Sequence, residues 1–359
     1  MAILVVAGLG VWAPQVLVLA REGFPAQSWP TSGDFAKVQG VTARQDAPQT
    51  PLPKPALDRL VASQGLALLV DRGGSLWAEG YANGQARDDR LNSYSMVKSL
   101  IAGLTLRAIA DDKIAGFEAR LPDLIGPQAP DISFKEALHM ISGLRLFGEP
   151  PKEDVAKSLD DAAFSPFAPV ARMHAFGIEN LMSSITIAPQ DRGQFHYQSA
   201  NTALLGLAVE RAYDRSLESL LSDMIWKPAG ASDGFWRRNP TTGRASPYCC
   251  LYARPLDWLR VGRFVLNNGT EGAAFLPEDL WQMWINPDLP AAQRAKGSYG
   301  LQTRHDVLDR PGQTLQGPFA YMMGHGGQVV YLLPEQDMVV VRFGAEPQLL
   351  HSTLYELVD

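Results

Sequence analysis

The stretch Leu91-Asn92-Ser93-Tyr94-Ser95-Met96-Val97-Lys98-Ser99-Leu100 decides the reading of this chain. It opens a helix, because Ile101-Ala102-Gly103-Leu104-Thr105-Leu106-Arg107-Ala108-Ile109-Ala110 keeps apolar residues at helical spacing until Asp111-Asp112-Lys113 turns to solvent. A separation of three puts Ser95 and Lys98 on one face, one turn apart, where a hydroxyl and an amine meet. A serine hydroxyl becomes a useful nucleophile when a neighbouring base takes its proton. Free lysine titrates near ~10.4 and a working base near ~7 to 8, a gap of about 4 kcal/mol. A helix N-terminus supplies about 0.3 to 1 kcal/mol of that, ~2 when partly buried. Desolvation or a third polar group must supply the rest. Ser-x-x-Lys alone arises by chance on the order of once in a few hundred residues, and its bland reading is a capped helix with a surface lysine. Other parts of the chain have to decide.

Composition narrows the partners. The 359 residues are 46% hydrophobic and 19% charged, enough for one large core or two modest lobes. A net charge of -6 and the absence of any lysine or arginine run argue against nucleic acid and for a small-molecule substrate. The two cysteines are adjacent, Cys249-Cys250, and a bridge between neighbours asks for strained geometry, so they read as two small buried hydrophobes. The six histidines show no metal spacing, and neither a metal nor a cofactor is expected.

Ala2 to Ala20 is almost wholly apolar, long enough for an anchor or a secretory signal. No basic residue precedes it, Pro14-Gln15 interrupts it, and Val18-Leu19-Ala20 is a poor cleavage site. The expectation is an anchor over residues 1–22 that holds the protein at the cell envelope; the alternative is a cytoplasmic protein with a buried terminal helix. Residues 23–55, with Pro48, Pro51, Pro53 and Pro55, read as a tether or a wrapping arm, and 56–359 as the domain proper.

Within that domain, Gly65–Val70 and Ser75–Tyr81 flank Asp71-Arg72-Gly73-Gly74, a hairpin signal. From about 114 to 232 the pattern changes to short helices with little strand signal, an inserted helical lobe. Ser133 with Glu136 forms a capping box there, and 201–214 is a second helix. A helix over 257–266, the hairpin 328–333/338–343 and a closing helix over 347–358 complete the chain.

Two further elements carry chemistry. Phe195-His196-Tyr197-Gln198-Ser199-Ala200-Asn201 offers Tyr197, whose phenol against the Lys98 ammonium would join Ser95 and Lys98 in one proton-sharing set. His196, its neighbour, points away. Gly324-His325-Gly326-Gly327-Gln328 places three glycines at the start of a strand, which suggests close approach by a ligand or another backbone. The N–H groups of Ser95 and Gln328 would then form an oxyanion hole.

Ser95-x-x-Lys98, Tyr197-x-Ser199 and His325-Gly326-Gly327 together resemble the three-part signature of the serine β-lactamase and penicillin-binding-protein superfamily. The segment 132–144 is similar to its "LL-x-M-T-S-G-L" helix, and 195–206 to its class C-like branch, nearest to esterases and aminohexanoate-oligomer hydrolases. The resemblance implies an α+β, β-lactamase/transpeptidase-like fold: an antiparallel sheet flanked by helices, with the helical lobe inserted and the site between the lobes. It implies an acyl-enzyme on Ser95, Lys98 and Tyr197 as shared base and acid, and Ser199, His325, Gly326 and Gly327 lining the substrate pocket. Where the family usually has Tyr-x-Asn and Lys-Thr-Gly, Ser199 and His325 stand. Since His325 is mostly neutral at pH 7, no permanent cation is expected to meet a substrate carboxylate. That favours a neutral or differently charged ester or amide over the alternatives, a D-alanyl-D-alanine carboxypeptidase or a β-lactamase. A membrane-tethered sensing domain that does not turn over is the non-enzymatic alternative.

Overall fold

The computed structural model describes residues 13–22, 34–43, 46–148, 168–345 and 351–357. Its main sheet is antiparallel and seven-stranded. We number its strands β1 (Gly65–Arg72), β2 (Ser75–Tyr81), β3 (Ser298–Gly300), β4 (Thr303–Leu308), β5 (Gly317–Gly324), β6 (Gln328–Leu333) and β7 (Met338–Gly344). Their order across the sheet is β3-β4-β5-β6-β7-β1-β2, so the two ends of the domain meet at the β7/β1 pairing. Central strands read as unbroken apolar runs because both faces are covered. Val330 and Leu332 of β6 enter one core with the helix Pro255–Leu266, and Val329, Tyr331 and Leu333 enter another with the helix Lys54–Ala62.

The helices expected at 133–141 and 201–214 form as Phe134–His139 and Ser199–Tyr213. The capping box is present: Glu136 N–H donates to Ser133 Oγ at 3.1 Å, and Ser133 N–H to Glu136 Oε2 at 2.7 Å. The lobe also contains strands that the sequence did not advertise, Ser142–Leu146 paired with Ile185–Arg192. That ribbon has only two strands and is largely exposed along Ile185–Arg192, so its alternation is weak. Beyond β7, residues 351–354 and 355–357 form two short helical turns, and residues 347–350 and 358 of the expected closing helix lie outside the described residues.

Part of the Pro-rich segment is ordered against the domain. Phe35–Val38 pairs with Gly234–Arg237, which pairs with Leu251–Ala253, which pairs with Leu91–Asn92. This second sheet delivers the chain into Ser95. Near the start, Pro14–Glu22 is a nine-residue helix whose Val18 packs on Ala171 and Ala175 of the helix Pro169–Phe176. No helix among the described residues is long and apolar enough to cross a membrane, and residues 2–12 of the apolar run lie outside them.

One expectation is corrected. Cys249 and Cys250 are joined by a disulfide, with Cα atoms 3.7 Å apart. Cys250 takes a left-handed φ of +72°, and that local turn brings neighbouring sulfurs together where extended backbone would hold them on opposite sides. Both residues are buried, as expected.

Candidate active site

Every residue from Leu91 to Leu100 is buried except Ser95, which is partly exposed. The exception is built locally. Asn92 Oδ1 accepts from Tyr94 N–H at 2.9 Å, Ser93 Oγ accepts from Leu251 N–H at 3.1 Å, and Ser93 carbonyl accepts from Met96 N–H at 3.1 Å. These bonds hold Tyr94 at φ +43°, a conformation that an L-residue keeps only when its surroundings fix it. Ser95 therefore sits in a 3₁₀ turn, Tyr94–Met96, and the α-helix proper runs Val97–Ala110. Lys98 remains one turn on, as the spacing predicts.

Lys98 is buried, and its Nζ donates to Ser95 Oγ at 2.7 Å and to the Tyr248 carbonyl at 3.0 Å. Tyr197 meets the ammonium through its ring, with Nζ 4.9 Å from the centroid, a cation–π contact where the sequence suggested contact with the phenol oxygen. Ser95, Lys98 and Tyr197 line one cleft. Tyr248 was missed. Its carbonyl holds the lysine, its hydroxyl lies 3.2 Å from His174 Nδ1, and the disulfide follows it directly. His174 and the two sulfurs have ligand atoms within 4.8 Å of one another, but sulfurs bonded to each other offer no thiolates to a metal. Burial, reinforced by Arg237, pushes the His174 pKa well below its usual value.

At the third element the close approach is made by the chain itself. A Cβ on Gly324 would stand 2.2 Å from the Ser93 carbonyl oxygen and 3.2 Å from Ser95 N, so only glycine lets β5 lie against the serine turn. Gly326 and Gly327 have φ of +76° and +75°, and reverse the chain into β6. The turn is clamped from behind: Gln328 Nε2 donates to the His325 and Gly344 carbonyls at 2.8 and 2.7 Å, and Arg342 Nη1 to the Gly327 carbonyl at 2.7 Å. His325 lies edge-on to Tyr94, ring centroids 5.4 Å apart. Ser199 is buried in the first turn of its helix. Neither of these two, nor Gly326 or Gly327, is among the residues lining the Ser95 cleft. His196 is also absent from that lining, with its Nε2 buried.

The lining instead includes Tyr299, Gln302, Arg304, Tyr321 and Met323. Gln302 fastens this sheet edge to three helices: its carbonyl accepts from Ser99 Oγ at 2.7 Å, its Oε1 from Thr202 Oγ1 at 2.7 Å, and its Nε2 donates to the Ala137 carbonyl at 2.9 Å. The expectation of a cleft without a permanent cation is thus corrected. The cation comes from β4 as Arg304, not from the glycine turn, and only pairing of β3 and β4 at the cleft could have signalled it.

A partly exposed serine bonded to a buried lysine one turn on, with a tyrosine ring over the lysine, makes this cleft the candidate active site. Residues 55–348 match the Beta-lactamase family, and the chain belongs to that family of serine hydrolases. No curated protein matches it in sequence. A Bacillus anthracis protein assigned as a 6-aminohexanoate-dimer hydrolase shares the fold with a TM-score of 0.71 at 18% identity, over 90% of this chain and 89% of that one. EstCE1, a hydrolase with promiscuous acyltransferase activity, aligns with a TM-score of 0.60 at 15% identity over 85% and 95%. A class C β-lactamase from Rhodobacter sphaeroides gives 0.55 at 12% over 85% and 97%.

Proposed function

We propose that the protein hydrolyses an ester or amide bond of a small substrate through an acyl-enzyme on Ser95. The observation that carries this is the 2.7 Å bond between Lys98 Nζ and the one opened hydroxyl of an otherwise buried stretch. Lys98 Nζ takes the Ser95 proton while Oγ adds to the carbonyl carbon. The N–H groups of Ser95 and Gln328 receive the developing oxyanion. Lys98 then passes the proton to the departing alkoxide or amine as the acyl bond breaks, with Tyr197 beside it in the same cleft as the second proton carrier of this reading. Water, activated by the same pair, then releases the acid and restores the Ser95 hydroxyl. His325, Gly326, Gly327 and Ser199 stand outside the lining of the Ser95 cleft and are given no substrate contact in this reading. The neighbours named above, one assigned as a 6-aminohexanoate-dimer hydrolase and one a hydrolase with promiscuous acyltransferase activity, support an acyl-group hydrolase, and envelope attachment through residues 2–20 is part of the proposal, resting on that apolar run.

The test is fluorophosphonate labelling and p-nitrophenyl butyrate hydrolysis by the full chain, beside Ser95→Ala and Tyr197→Phe. Labelling at Ser95 with turnover lost in Ser95→Ala is expected. Labelling without ester turnover would favour the sensing domain, and equal behaviour of all three proteins would remove Ser95 as nucleophile. Cell fractionation with no membrane-bound protein would remove the envelope assignment.

A further inference from the structure

Lys98 is held from two sides, and one of the holds ends at a disulfide. Its second acceptor, the Tyr248 carbonyl at 3.0 Å, belongs to the peptide that joins Tyr248 to Cys249, and Cys249 is bridged to Cys250. The mechanism above uses the amine and leaves the bridge without a task. Backbone bonds pin the turn around it: Cys249 N–H donates to the Ser246 carbonyl at 3.2 Å, Trp236 Nε1 to the Cys249 carbonyl at 2.9 Å, and Arg237 N–H to the Cys250 carbonyl at 3.0 Å. The bridge adds a covalent hold on Cys250, whose φ of +72° an L-residue keeps only when its surroundings impose it.

A thiol can reach this bridge. Cys249 is 9% exposed and Cys250 is fully buried, so an incoming thiolate meets Cys249 Sγ first. The residues before it, Ser246, Pro247 and Tyr248, line a cleft that shares no residue with the one at Ser95, which gives a reductant an approach outside the substrate's path. His174 Nδ1, 3.2 Å from the Tyr248 hydroxyl, stands 3.9 Å from Cys249 Sγ and can accept a hydrogen bond from the released thiol. The bridge is thus open to attack and one peptide away from the amine that serves Ser95.

We propose that Cys249-Cys250 is a modification site for a dithiol reductant, and that its state governs turnover: bridged, the Tyr248 carbonyl holds Lys98 against Ser95; opened, it lets the amine go. This rests on the acyl-enzyme reading above and gives that site a regulation. A thiolate of the reductant attacks Cys249 Sγ, the S–S bond breaks, and Cys250 leaves with the electron pair and takes up a proton. The reductant's second thiol then attacks the mixed disulfide, closing its own disulfide and releasing Cys249. Two electrons pass from the dithiol to the cystine, and its two protons end on Cys249 and Cys250. With the cross-link gone, Cys250 relaxes from its left-handed φ, the Tyr248-Cys249 peptide turns with it, and Lys98 loses the 3.0 Å acceptor.

The full chain is equilibrated in dithiothreitol buffers running from fully oxidised to fully reduced. At each step, alkylation of the native protein and mass spectrometry count the thiols at Cys249 and Cys250, and p-nitrophenyl butyrate gives kcat and KM. As the thiols appear, kcat is expected to fall about ten- to a hundredfold, the cost of a misplaced catalytic group, with KM held within about twofold because none of residues 246–250 lines the Ser95 cleft. Reoxidation restores it. Cys249→Ser/Cys250→Ser should match the reduced enzyme and ignore the buffer; the wild-type titration decides alone if that variant does not fold. Free thiols with unchanged kcat overturn the proposal. So does a pair that never changes state in the folded chain, or an activity loss that tracks circular dichroism instead of thiol count. If wild type hydrolyses no ester and Ser95 takes no phosphonate, the acyl-enzyme reading fails by itself, and acetylation of Lys98 by acetic anhydride judges the bridge. Faster acetylation after reduction supports the loosened hold, and an equal rate in both states overturns it.

Discussion

The turn that carries Ser95 and the sheet edge that carries Arg304 face one cleft, yet they are built in opposite ways. The turn is local: Asn92, Ser93, Ser95 and Lys98 fall within seven positions, and bonds at Asn92, Ser93 and Lys98 fix its shape. At the edge, Tyr299, Arg304 and Tyr321 meet through strand register across two hairpins, and Gln302 ties that edge to residues 100 and 203 positions away. Local order fixes the turn that holds Ser95 and Lys98, and long-range order fixes the cleft wall that faces it. Changes at the turn should therefore strike all substrates alike, and changes at the edge should alter selectivity.

The largest effect should be at the turn. Ser95→Ala is expected to lower kcat by about 10⁴ or more on every ester, with phosphonate labelling lost. Residual labelling at the same rate would show a different nucleophile and dissolve the comparison. Tyr197→Phe should cost on the order of 10² to 10³ in kcat on every ester, since the proton is shared whatever the substrate carries. A loss confined to some esters would instead place Tyr197 with the edge. Gly324→Ala tests the seam where β5 meets the turn. A Cβ 2.2 Å from the Ser93 carbonyl forces backbone apart, so denaturant unfolding should report a loss of about 3 kcal/mol, with slower labelling of Ser95. Wild-type stability and labelling in that variant would mean that the seam is looser than the geometry says.

The same contrast explains what could be read without coordinates. Ser-x-x-Lys, the Ser133/Glu136 cap and the β6/β7 hairpin are patterns of neighbours, and each formed as spacing predicted. Tyr248 was hidden because its functional atom is a backbone carbonyl, which residue identity does not announce. Arg304 was hidden because β3 is three residues long and Leu301 and Gln302, which turn the chain into β4, have φ of +48° and +57°. Neither is a glycine or asparagine, so the turn has no compositional mark. The vicinal disulfide was misjudged on the general geometry of bridges, and the left-handed Cys250 is the local exception.

The smallest effect lies behind the edge, and it is a pH dependence. His305 on β4 is buried, with Nε2 2.9 Å from the Trp284 carbonyl, and desolvation pushes its pKa down from 6.5 to about 4. The unfolded chain binds this proton between those values and the folded chain does not, so stability is whole above about pH 6.5 and declines as pH falls towards 4. At pH 5 the loss from this one group is about 2 kcal/mol. Urea unfolding at pH 7 and pH 5, on wild type and His305→Gln, measures the effect: the glutamine keeps a donor for Trp284 but has no proton to gain, so the stability difference between the two pH values should shrink by about that amount. An equal pH slope in both proteins would mean that His305 takes up its proton in the folded state, and that the layer behind the edge is open to water.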